Sequence, residues 1–377
     1  MRIDEENIYN NNFDSLLALG LMSGTSLDGV DVALLSTDGN KNIISRGYSN
    51  FNFPKRIKNK IEKFIINRNN PFFISRLITD FHICCIKDFM NKNNIKIESI
   101  DLIGFHGHTV FHKPNEGWSW QIGDGQHMSN SLKIPVVSNF RYRDVCLGGE
   151  GAPLVPIWHL SLINSFKYKK FPCAFLNIGG IANISYLMNN EDIPTSFDIG
   201  PGNTLLDFIM KKYFNREFDK NGVEAEKGNI CYDTIQNILS ESWFNLEPPK
   251  SLDKNELNKS ILGYTGHLSP NDKAATLAKL ISSAAKKSIS FLASPPRVWY
   301  ICGGGRLNKS IIKGFHEEFG ETVYLVDEIG WNGDSIEAEA FAYLAVRSMK
   351  GMACTWKNTT GVRYPTAGGL LSYPRRI

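Results

Sequence analysis

A short polar turn near the start of the chain has the residues that could hold a phosphate group. It lies between the apolar runs Leu16 to Met22 and Val30 to Leu35, and reads Ser23-Gly24-Thr25-Ser26-Leu27-Asp28-Gly29. Two apolar runs joined by small polar residues predict a β-hairpin. Exposed backbone amides and the hydroxyls of Thr25 and Ser26 would suit phosphate, and Asp28 could hold Mg²⁺ through water. An ordinary tight turn without a ligand explains the same residues equally well.

Three more glycine-bearing turns follow apolar strands. They lie at Gly179-Gly180, at Gly200 to Gly202 and at Gly303 to Gly305. Ligands of α/β proteins collect at the carboxyl ends of strands, so four such turns favour one composite nucleotide pocket. The sequence contains neither a Walker A pattern nor a Rossmann fingerprint, so the expected pocket belongs to neither of those classes.

An irregular stretch between Asn139 and Pro156 is a second candidate for a site. It carries two arginines, two acidic residues and a glycine-rich run, and functional residues concentrate on such loops. Upstream, His106, His108 and His112 invite a zinc interpretation. No carboxylate or thiol completes a tetrahedral set at suitable spacing, however. Polar histidines at a pocket wall are the simpler interpretation.

The elements that must position these residues alternate between strands and helices. Apolar runs predict strands at 100–105, 119–122, 134–137, 296–302 and 323–326, and another ending within 197–203. Helical spacing predicts helices at 54–67, 72–90, 155–166, 204–213, 229–239, 271–292 and 335–349. The stretch from Phe175 to Leu187 repeats the layout of the opening hairpin about 155 residues later. The fold class is therefore α/β, and the repeat predicts a duplicated architecture.

Composition limits the classes of function. The 377 residues favour two domains, which we place at 16–150 and 151–377 after a loose extension at 1–15, with a C-terminal segment able to pack back on the first lobe. A net charge of +4 gives no support for nucleic-acid binding. No apolar run reaches the roughly 20 residues that span a membrane. Seven scattered cysteines without a CxxC pair are expected to be buried thiols in a reducing compartment.

Eight segments of the chain together resemble one enzyme family. They are, in order, GLMSGTSLDGVDVAL, GFHGHTVFHKP, QIGDG, NFRYRDVCLGGEGAPLVP, NIGGIANISYL, FDIGPGNTLLD, ICGGGRLN and GDSIEAEAFAYLAVR. From about Leu16 to the C-terminus, the chain is similar to anhydro-N-acetylmuramic acid kinases. The resemblance implies a two-lobed, duplicated fold of the actin/Hsp70/sugar-kinase type with ATP between the lobes. It also implies a cytoplasmic enzyme of cell-wall recycling, in which ATP and water convert 1,6-anhydro-N-acetylmuramic acid into N-acetylmuramic acid 6-phosphate.

The resemblance also implies roles for individual residues. The general base that takes a proton from the attacking water is the aspartate of FDIGPGN, Asp198. Nucleotide contacts carry over to Gly24, Thr25, Ser26, Leu27, Asp28, Gly29, Val30, Asp31, Gly179, Gly180, Asn183, Gly303, Gly304 and Gly305, with Asp28 holding Mg²⁺ through water. The sugar candidates are His106, Thr109, Gln121, Asp124, Arg141, Arg143, Asp144 and Glu337. An arginine suits the lactyl carboxylate because its planar guanidinium binds carboxylates bidentately. The sequence does not determine the oligomeric state, although a homodimer is one possibility, since dimers are common for such enzymes.

Several alternatives stay open. Asp198 could instead cap the helix that begins after Asn203, or ligate Mg²⁺. The chain could also be an actin/Hsp70-type ATP-binding regulatory module or another small-molecule kinase, because a fold does not determine a function. The polar stretch from Phe140 to Pro153 is one that a pure switch does not need. The chain departs from the family pattern where His108, Asn139 and Ile199 replace Gln, Asp and Thr.

Overall fold

The computed structural model describes residues 15–24, 27–252 and 254–375. The proposed N-terminal extension lies almost wholly outside this range, as do Thr25 and Ser26 of the first glycine turn. Within it, the chain forms two β-sheets with helices packed on and between them.

The first sheet is built around the predicted opening hairpin. Its strands are β1 (Leu16–Ser23), β2 (Gly29–Thr37), β3 (Ile43–Asn52), β4 (Leu102–Lys113), β5 (Trp118–Ile122), β6 (Val136–Ser138) and β12 (Leu370–Ser372). They lie in the order β12-β6-β4-β1-β2-β3, with β5 paired to β4. The pairs β1–β2 and β2–β3 are antiparallel, whereas β1–β4 and β4–β6 are parallel.

The second sheet repeats this arrangement. Its strands are β7 (Cys173–Ile178), β8 (Ile181–Leu187), β9 (Thr195–Pro201), β10 (Val298–Cys302) and β11 (Val323–Leu325), in the order β11-β10-β7-β8-β9. The pairs β7–β8 and β8–β9 are antiparallel, and β7–β10 and β10–β11 are parallel. Strand order and directions thus match β6-β4-β1-β2-β3. The predicted duplication is confirmed, and the fold is the two-lobed actin/Hsp70/sugar-kinase type.

Helices cover both sheets. They are α1 (Lys55–Asn67), α2 (Pro71–Lys92), α3 (Gly125–Leu132), α4 (Tyr142–Cys146), α5 (Pro156–Ser165), α6 (Asn203–Ile209), α7 (Val223–Glu226), α8 (Tyr232–Leu239), α9 (Lys254–Tyr264), α10 (Pro270–Ser288), α11 (Lys309–Phe319), α12 (Ile336–Met349) and α13 (Lys357–Thr360). Apolar side chains of α1 and α2 bury one face of the first sheet, and those of α6 and α10 bury one face of the second. A third core between the sheets contains α5 and α12.

Helix α12 comes late in the chain but packs on the first sheet. Glycines allow its backbone to approach: a Cβ on Gly20 of β1 would lie 1.8 Å from the Ala338 carbonyl oxygen, and one on Gly104 of β4 would lie 2.1 Å from that of Phe341. The later strand β12 pairs antiparallel with β6. The last part of the chain therefore contributes strand β12 to the first sheet and helix α12, which packs against strands β1 and β4 of that sheet.

Some predicted elements differ from the structure. The strand predicted at 100–105 begins later and runs on to Lys113, so the histidines expected after it lie inside it. The helix predicted at 204–213 ends at Ile209 and continues as one turn of π-helix, Met210–Phe214. Seven of the described strands and helices escaped prediction: β3, β12, α3, α4, α7, α9 and α13. Strand β3 is an edge strand with mostly exposed or half-buried residues, so it lacks an apolar run that would reveal it.

Candidate active site

The first glycine turn closes the β1–β2 hairpin tightly. The Leu27 N–H donates to the Gly24 carbonyl at 3.2 Å, which ties together the described residues at the two ends of the hairpin loop. A Cβ on Gly29 would lie 2.7 Å from the Phe51 carbonyl oxygen. Exposed Asp28 accepts the Gly29 N–H at 2.9 Å through Oδ1. The turn therefore presents a carboxylate at its rim and requires glycine where β3 approaches.

Three side chains in or directly after this turn make contacts within the first lobe. Leu27 and Val30 are buried in the core beneath α1 and α2, so only their backbone is available to a nucleotide. Asp31 accepts hydrogen bonds from the Tyr48 hydroxyl at 2.6 Å and the Asn50 amide at 2.9 Å. Burial raises the pKa of Asp31, although these two hydrogen bonds oppose the shift.

The second glycine turn, between β7 and β8, is tied to the start of α6. The carbonyls of Gly180 and Gly179 accept the N–H groups of Gly202 at 2.9 Å and Asn203 at 2.8 Å. A Cβ on Gly202 would lie 2.3 Å from the Gly179 oxygen, so this close approach also requires glycine. Asn183, the third member of the predicted phosphate turn, lies directly opposite Asp198 on the neighbouring strand.

The third glycine turn follows β10 and packs against the end of β7. Gly303 has φ +76°, and its Cβ would lie 2.2 Å from Asn177 Oδ1; a Cβ on Gly305 would lie 2.2 Å from Ile178 Cγ2. Gly304 is exposed. Arg306 holds the turn from behind, donating to the Gly303 carbonyl at 3.2 Å and to Asp327 at 2.6 Å. Gly304 is thus the exposed residue of a turn whose other two glycines pack against the end of β7.

Asp198 lies within β9 and is 7% exposed. Its Oδ2 accepts the Leu252 N–H at 2.9 Å, and its own N–H donates to the Lys250 carbonyl at 3.1 Å. The helix that follows begins after Gly202, four residues further on, so Asp198 is not its cap. That alternative is excluded.

Arg141 lies in the polar loop of the first lobe, and the charge of Asp198 acts on it. It donates to the Gly151 carbonyl at 2.8 Å and, through Nη2, to His106 Nε2 at 3.1 Å. Burial lowers the pKa of Arg141 to about 10, and the negative charges of Glu337, Asp198 and Asp144 oppose that shift. The guanidinium stays protonated at neutral pH and lies within electrostatic reach of acidic groups from both halves of the chain.

His106 acts as an acceptor for this arginine. Its Nδ1 lies 2.9 Å from the Gly107 carbonyl oxygen, which accepts the ring N–H and leaves Nε2 to accept from Arg141. Burial, reinforced by the charge of Arg141, lowers the pKa of His106 well below its usual value. The neutral ring therefore orients the arginine without competing for an anion.

Glu337, near the start of α12, interacts electrostatically with Arg141 and with the acidic residues of the first hairpin. Its Oε1 accepts the Asn177 amide at 2.8 Å. Burial raises the pKa of Glu337, and the negative charges of Asp31 and Asp28 add to the shift while Arg141 opposes it. Glu337 is thus within electrostatic reach of both the acidic residues of the first hairpin and Arg141.

The other sugar candidates lie in three different environments. Thr109 and Gln121 pair across β4 and β5, where the Gln121 amide donates to the Thr109 hydroxyl at 3.4 Å. Asp144 is buried, and it accepts the Gly151 N–H at 2.7 Å and the Thr360 hydroxyl at 2.6 Å; its contacts shape the loop. Asp124 is exposed and caps α3 through the His127 N–H at 2.8 Å, and Arg143 is exposed on α4.

Two histidines of β4 have polar partners on the neighbouring strands β1 and β5. His108 Nδ1 lies 3.0 Å from the Ser23 hydroxyl, and His112 Nδ1 lies 2.9 Å from the Ser119 hydroxyl. Across residues 15–24, 27–252 and 254–375, no group of three or more His, Cys, Asp or Glu side chains is placed to hold a metal ion. Asn139, the departure in the polar loop, has φ +55°, a conformation that asparagine tolerates better than most residues.

Comparison with known proteins decides the family. The family model for anhydro-N-acetylmuramic acid kinase matches residues 16–374. The anhydro-N-acetylmuramic acid kinase of Zymomonas mobilis is 38% identical over 370 residues, covering 95% of this chain and 100% of that one. That of Methylobacterium nodulans is 38% identical over 377 residues, with the same coverage. The chain belongs to the anhydro-N-acetylmuramic acid kinase family.

Membership of this kinase family confirms that the chain is an ATP-using phosphotransferase and not solely a regulatory module. The resemblance read from the eight sequence segments is likewise confirmed. Within the described part of this kinase, no helix is long and apolar enough to cross a membrane.

Three residues that help to organise the kinase site escaped sequence reasoning. Tyr48 holds Asp31 from the unpredicted strand β3. Asn177, at the end of β7, donates to Glu337 from 160 residues away. Arg306 follows the Gly303–Gly305 turn directly. Of the three residues, it is the one that the sequence could have indicated, because it is a charged residue immediately after a glycine turn. Its 4% exposure and its bonds to Asp327 and Asp334 were not deducible.

Proposed function

We propose that this kinase phosphorylates O6 of 1,6-anhydro-N-acetylmuramic acid with ATP while water opens the anhydro bridge. The observation that carries the proposal is the shared electrostatic environment of Arg141. Asp198 from β9 and Glu337 from α12 both act on this first-lobe guanidinium, and Glu337 is in turn influenced by Asp28 and Asp31 of the phosphate hairpin. Acidic groups of β9, α12 and the phosphate hairpin therefore act on this guanidinium directly or through Glu337, which supports a shared site.

The reaction balances without further reactants. Water attacks C1 of the sugar and gives its proton to the Asp198 carboxylate. The C1–O6 bond breaks, and O6 forms a bond to the γ-phosphorus as the bond between that phosphorus and ADP breaks. The products are N-acetylmuramic acid 6-phosphate and ADP. The Leu252 N–H on Oδ2 fixes the direction of the carboxylate, which suits a base that must meet a single water.

The nucleotide is expected to contact the three glycine turns. The phosphates meet the backbone of the Gly24–Gly29 and Gly179–Gly180 turns and Asn183, and the adenosine covers exposed Gly304. Asp28 suits Mg²⁺ because that ion keeps several waters and uses only one or two carboxylates together with substrate phosphates. Bound there, Mg²⁺ would neutralise phosphate charge during transfer.

The sugar is expected to lie against Arg141, His106, Thr109, Gln121 and Glu337. We assign the lactyl carboxylate to Arg141, whose guanidinium is planar and already oriented by His106 and Gly151. Asp124, Arg143 and Asp144 remain proposals as sugar contacts. Asp144 acts at least by shaping the loop that holds Arg141.

We also propose the setting in which the kinase works. The lobes are 16–150 and 151–377 in sequence, and α12 and β12 return to the first sheet. A cytoplasmic location is consistent with the seven free cysteines, which reducing compartments maintain. A homodimer remains a prediction that analytical ultracentrifugation would test.

The test follows ADP release and the fate of water. Purified protein with ATP, Mg²⁺ and 1,6-anhydro-N-acetylmuramic acid should release ADP in a coupled assay, whereas N-acetylmuramic acid should support far less release. In ¹⁸O-water, mass spectrometry should find one ¹⁸O at C1 of the phosphorylated product and none in its phosphate. Absence of turnover by folded protein, or label only in the phosphate, would contradict the proposal.

A further inference from the structure

The segment Lys250–Leu252 contacts Asp198 at two points. The Asp198 N–H donates to the Lys250 carbonyl at 3.1 Å, and the Leu252 N–H donates to Asp198 Oδ2 at 2.9 Å. Backbone and carboxylate of the base are thus both held by three consecutive residues. Any movement of this segment changes where the carboxylate points.

The side chain of the middle residue reaches the polar loop of the first lobe. The Ser251 hydroxyl donates to Glu150 Oε2. The Glu150 N–H donates to the Thr360 carbonyl at 2.6 Å, and the Thr360 hydroxyl donates to Asp144 at 2.6 Å. Since Asp144 also accepts the Gly151 N–H, Ser251 is connected to the same loop that orients Arg141.

The side chain of Lys250 anchors the other end of the segment in the second lobe. It is 7% exposed, and its Nζ lies 4.5 Å from the ring centroid of Phe291 and 4.8 Å from that of Trp243. The same ammonium lies 3.3 Å from the Phe244 carbonyl oxygen. The anchor keeps the segment against β9, so the Ser251 hydroxyl is its connection to the first-lobe loop.

We propose that the Ser251–Glu150 hydrogen bond is a positioning contact that aligns the Asp198 carboxylate with the sugar held by the Arg141 loop. The inference rests on the proposed function, because it assigns Asp198 as the base. Neither Ser251 nor Glu150 needs to touch substrate. They act through Leu252, whose N–H bond to Oδ2 sets the direction of the base. The contact thereby makes correct placement of the loop a condition for fast catalysis.

Loss of the Ser251–Glu150 hydrogen bond is expected to lower the turnover rate and to leave nucleotide binding unchanged. A carboxylate that loses its N–H donor is less well aligned, and misalignment lowers the rate of the chemical step. Hydrogen bonding to the charged form of a carboxylate also favours that form. Arg141 and Lys250, two charged groups on which the Asp198 charge acts, are unchanged when Ser251 or Glu150 is replaced.

Steady-state kinetics test the contact. We expect Ser251→Ala and Glu150→Ala each to lower kcat about tenfold, the effect of one lost hydrogen bond, with the KM for ATP unchanged within about twofold. Glu150→Gln keeps an oxygen that accepts the Ser251 proton and should restore most of kcat. The double variant should be no slower than either single variant. Equal damage from Glu150→Gln and Glu150→Ala, or additive losses in the double variant, would overturn the proposal.

The pH profile separates alignment from general damage. In Ser251→Ala the acidic limb of the kcat profile should move to higher pH, whereas a merely structural defect lowers kcat equally at all pH values. Ser240→Ala is the matched control, since this exposed serine donates to the Asn237 carbonyl at the end of α8. It should leave the profile of the wild type unchanged.

Hydrogen exchange provides a readout without turnover. In Ser251→Ala, amide exchange should accelerate in peptides covering 147–152 and 248–252 together, and Ser240→Ala should not change either. Unchanged exchange in both peptides would overturn the coupling even if the protein is an active kinase. Conversely, exchange could accelerate in both peptides of Ser251→Ala while the wild type fails to turn over the anhydro sugar. That result would contradict the proposed function but support the Ser251–Glu150 contact.

Discussion

At the scale of single residues, the site depends on groups whose environment determines what they can do. His106 is neutral because burial and the neighbouring Arg141 charge lower its pKa, so it orients the guanidinium as an acceptor. Asp144, with a carboxylate of the same chemical type as Asp198, is committed to Gly151 and Thr360. Asp198 accepts the Leu252 N–H on one oxygen, and its negative charge acts on Arg141. Position in the fold, rather than residue type, distinguishes the proposed base from the structural acid.

Replacing the base tests its role directly. Asp198→Asn should lower kcat by at least about 10³-fold, because general-base catalysis contributes factors of this order, while the affinity for ATP measured by calorimetry should stay within about threefold. Exposed Asp192, in the loop between β8 and β9, offers the control Asp192→Asn, which should retain normal turnover. Substantial residual activity in Asp198→Asn would assign the proton transfer to another group.

The buried lysine beside the base makes stability depend on pH. Burial lowers the pKa of Lys250 from 10.5 to about 8, and the charge of Lys287 adds to the shift. Between these values the unfolded chain holds the proton and the folded chain releases it, so this group makes the free energy of unfolding rise with pH.

Lys250→Met removes this titration and keeps an apolar stem. The variant should be more stable than the wild type at pH 7, by up to about 3 kcal/mol, and the difference should shrink as the pH approaches 10.5. Chemical denaturation at several pH values measures it, with exposed Lys41→Met as the control that shows no such trend. A difference that stays constant from pH 7 to 10.5 would contradict the assigned shift.

At the scale of elements, the site is assembled by a helix that lies far from the first hairpin in sequence. Helix α12 carries Glu337 and rests on β1 and β4, where Gly20 and Gly104 allow backbone contact. Edge strand β3 contributes Tyr48 and Asn50, which hold Asp31. The turns at Gly24 and Gly179 follow the equivalent strands β1 and β7, and the turn at Gly303 follows β10, the equivalent of β4.

The contact between α12 and the first sheet is testable through its glycines. Gly104→Ala should destabilise the protein by at least about 2 kcal/mol, because its Cβ would lie 2.1 Å from the Phe341 carbonyl oxygen and overpacking costs this much. Gly263→Ala is the matched control: its Cβ meets no described atom within 4 Å, and alanine favours helix by up to about 1 kcal/mol. Thermal or urea unfolding compares them, and similar stabilities for the two variants would rule out the tight approach.

At the scale of the whole molecule, two lobes of the same topology face each other across the site. Lys58 of α1 lies 3.8 Å from Glu217, which follows α6 in the second half, so the lobes also meet beside the phosphate hairpin. Binding energy from the nucleotide and sugar can draw such lobes together and exclude water from the transfer. Exclusion matters here, because only the water that opens the sugar should react.

Ligands are therefore expected to compact the protein. The radius of gyration from small-angle scattering should decrease when a non-hydrolysable ATP analogue and the anhydro sugar are added together. Asp198→Asn should close to the same extent, since it lacks the base but keeps the binding groups. Superimposable scattering curves with and without both ligands would contradict closure.

The sequence by itself determined the local parts of this protein. Apolar runs ending in glycine turns predicted both hairpins and the strand before Gly303, and the ordered motifs identified the family, because these signals depend on neighbouring residues alone. The two-lobed fold followed from the repeated hairpins. Only the tertiary structure decided the partners of each acid: Asp144 accepts from Thr360 and Asp198 from Leu252, which lie 216 and 54 residues away. Edge strand β3 escaped prediction because it lacks an apolar run, whereas the Ser251–Glu150 contact escaped because it joins segments 101 residues apart. Hydrogen bonds between distant segments have no periodic signature in the sequence, since folding alone brings their donors and acceptors together.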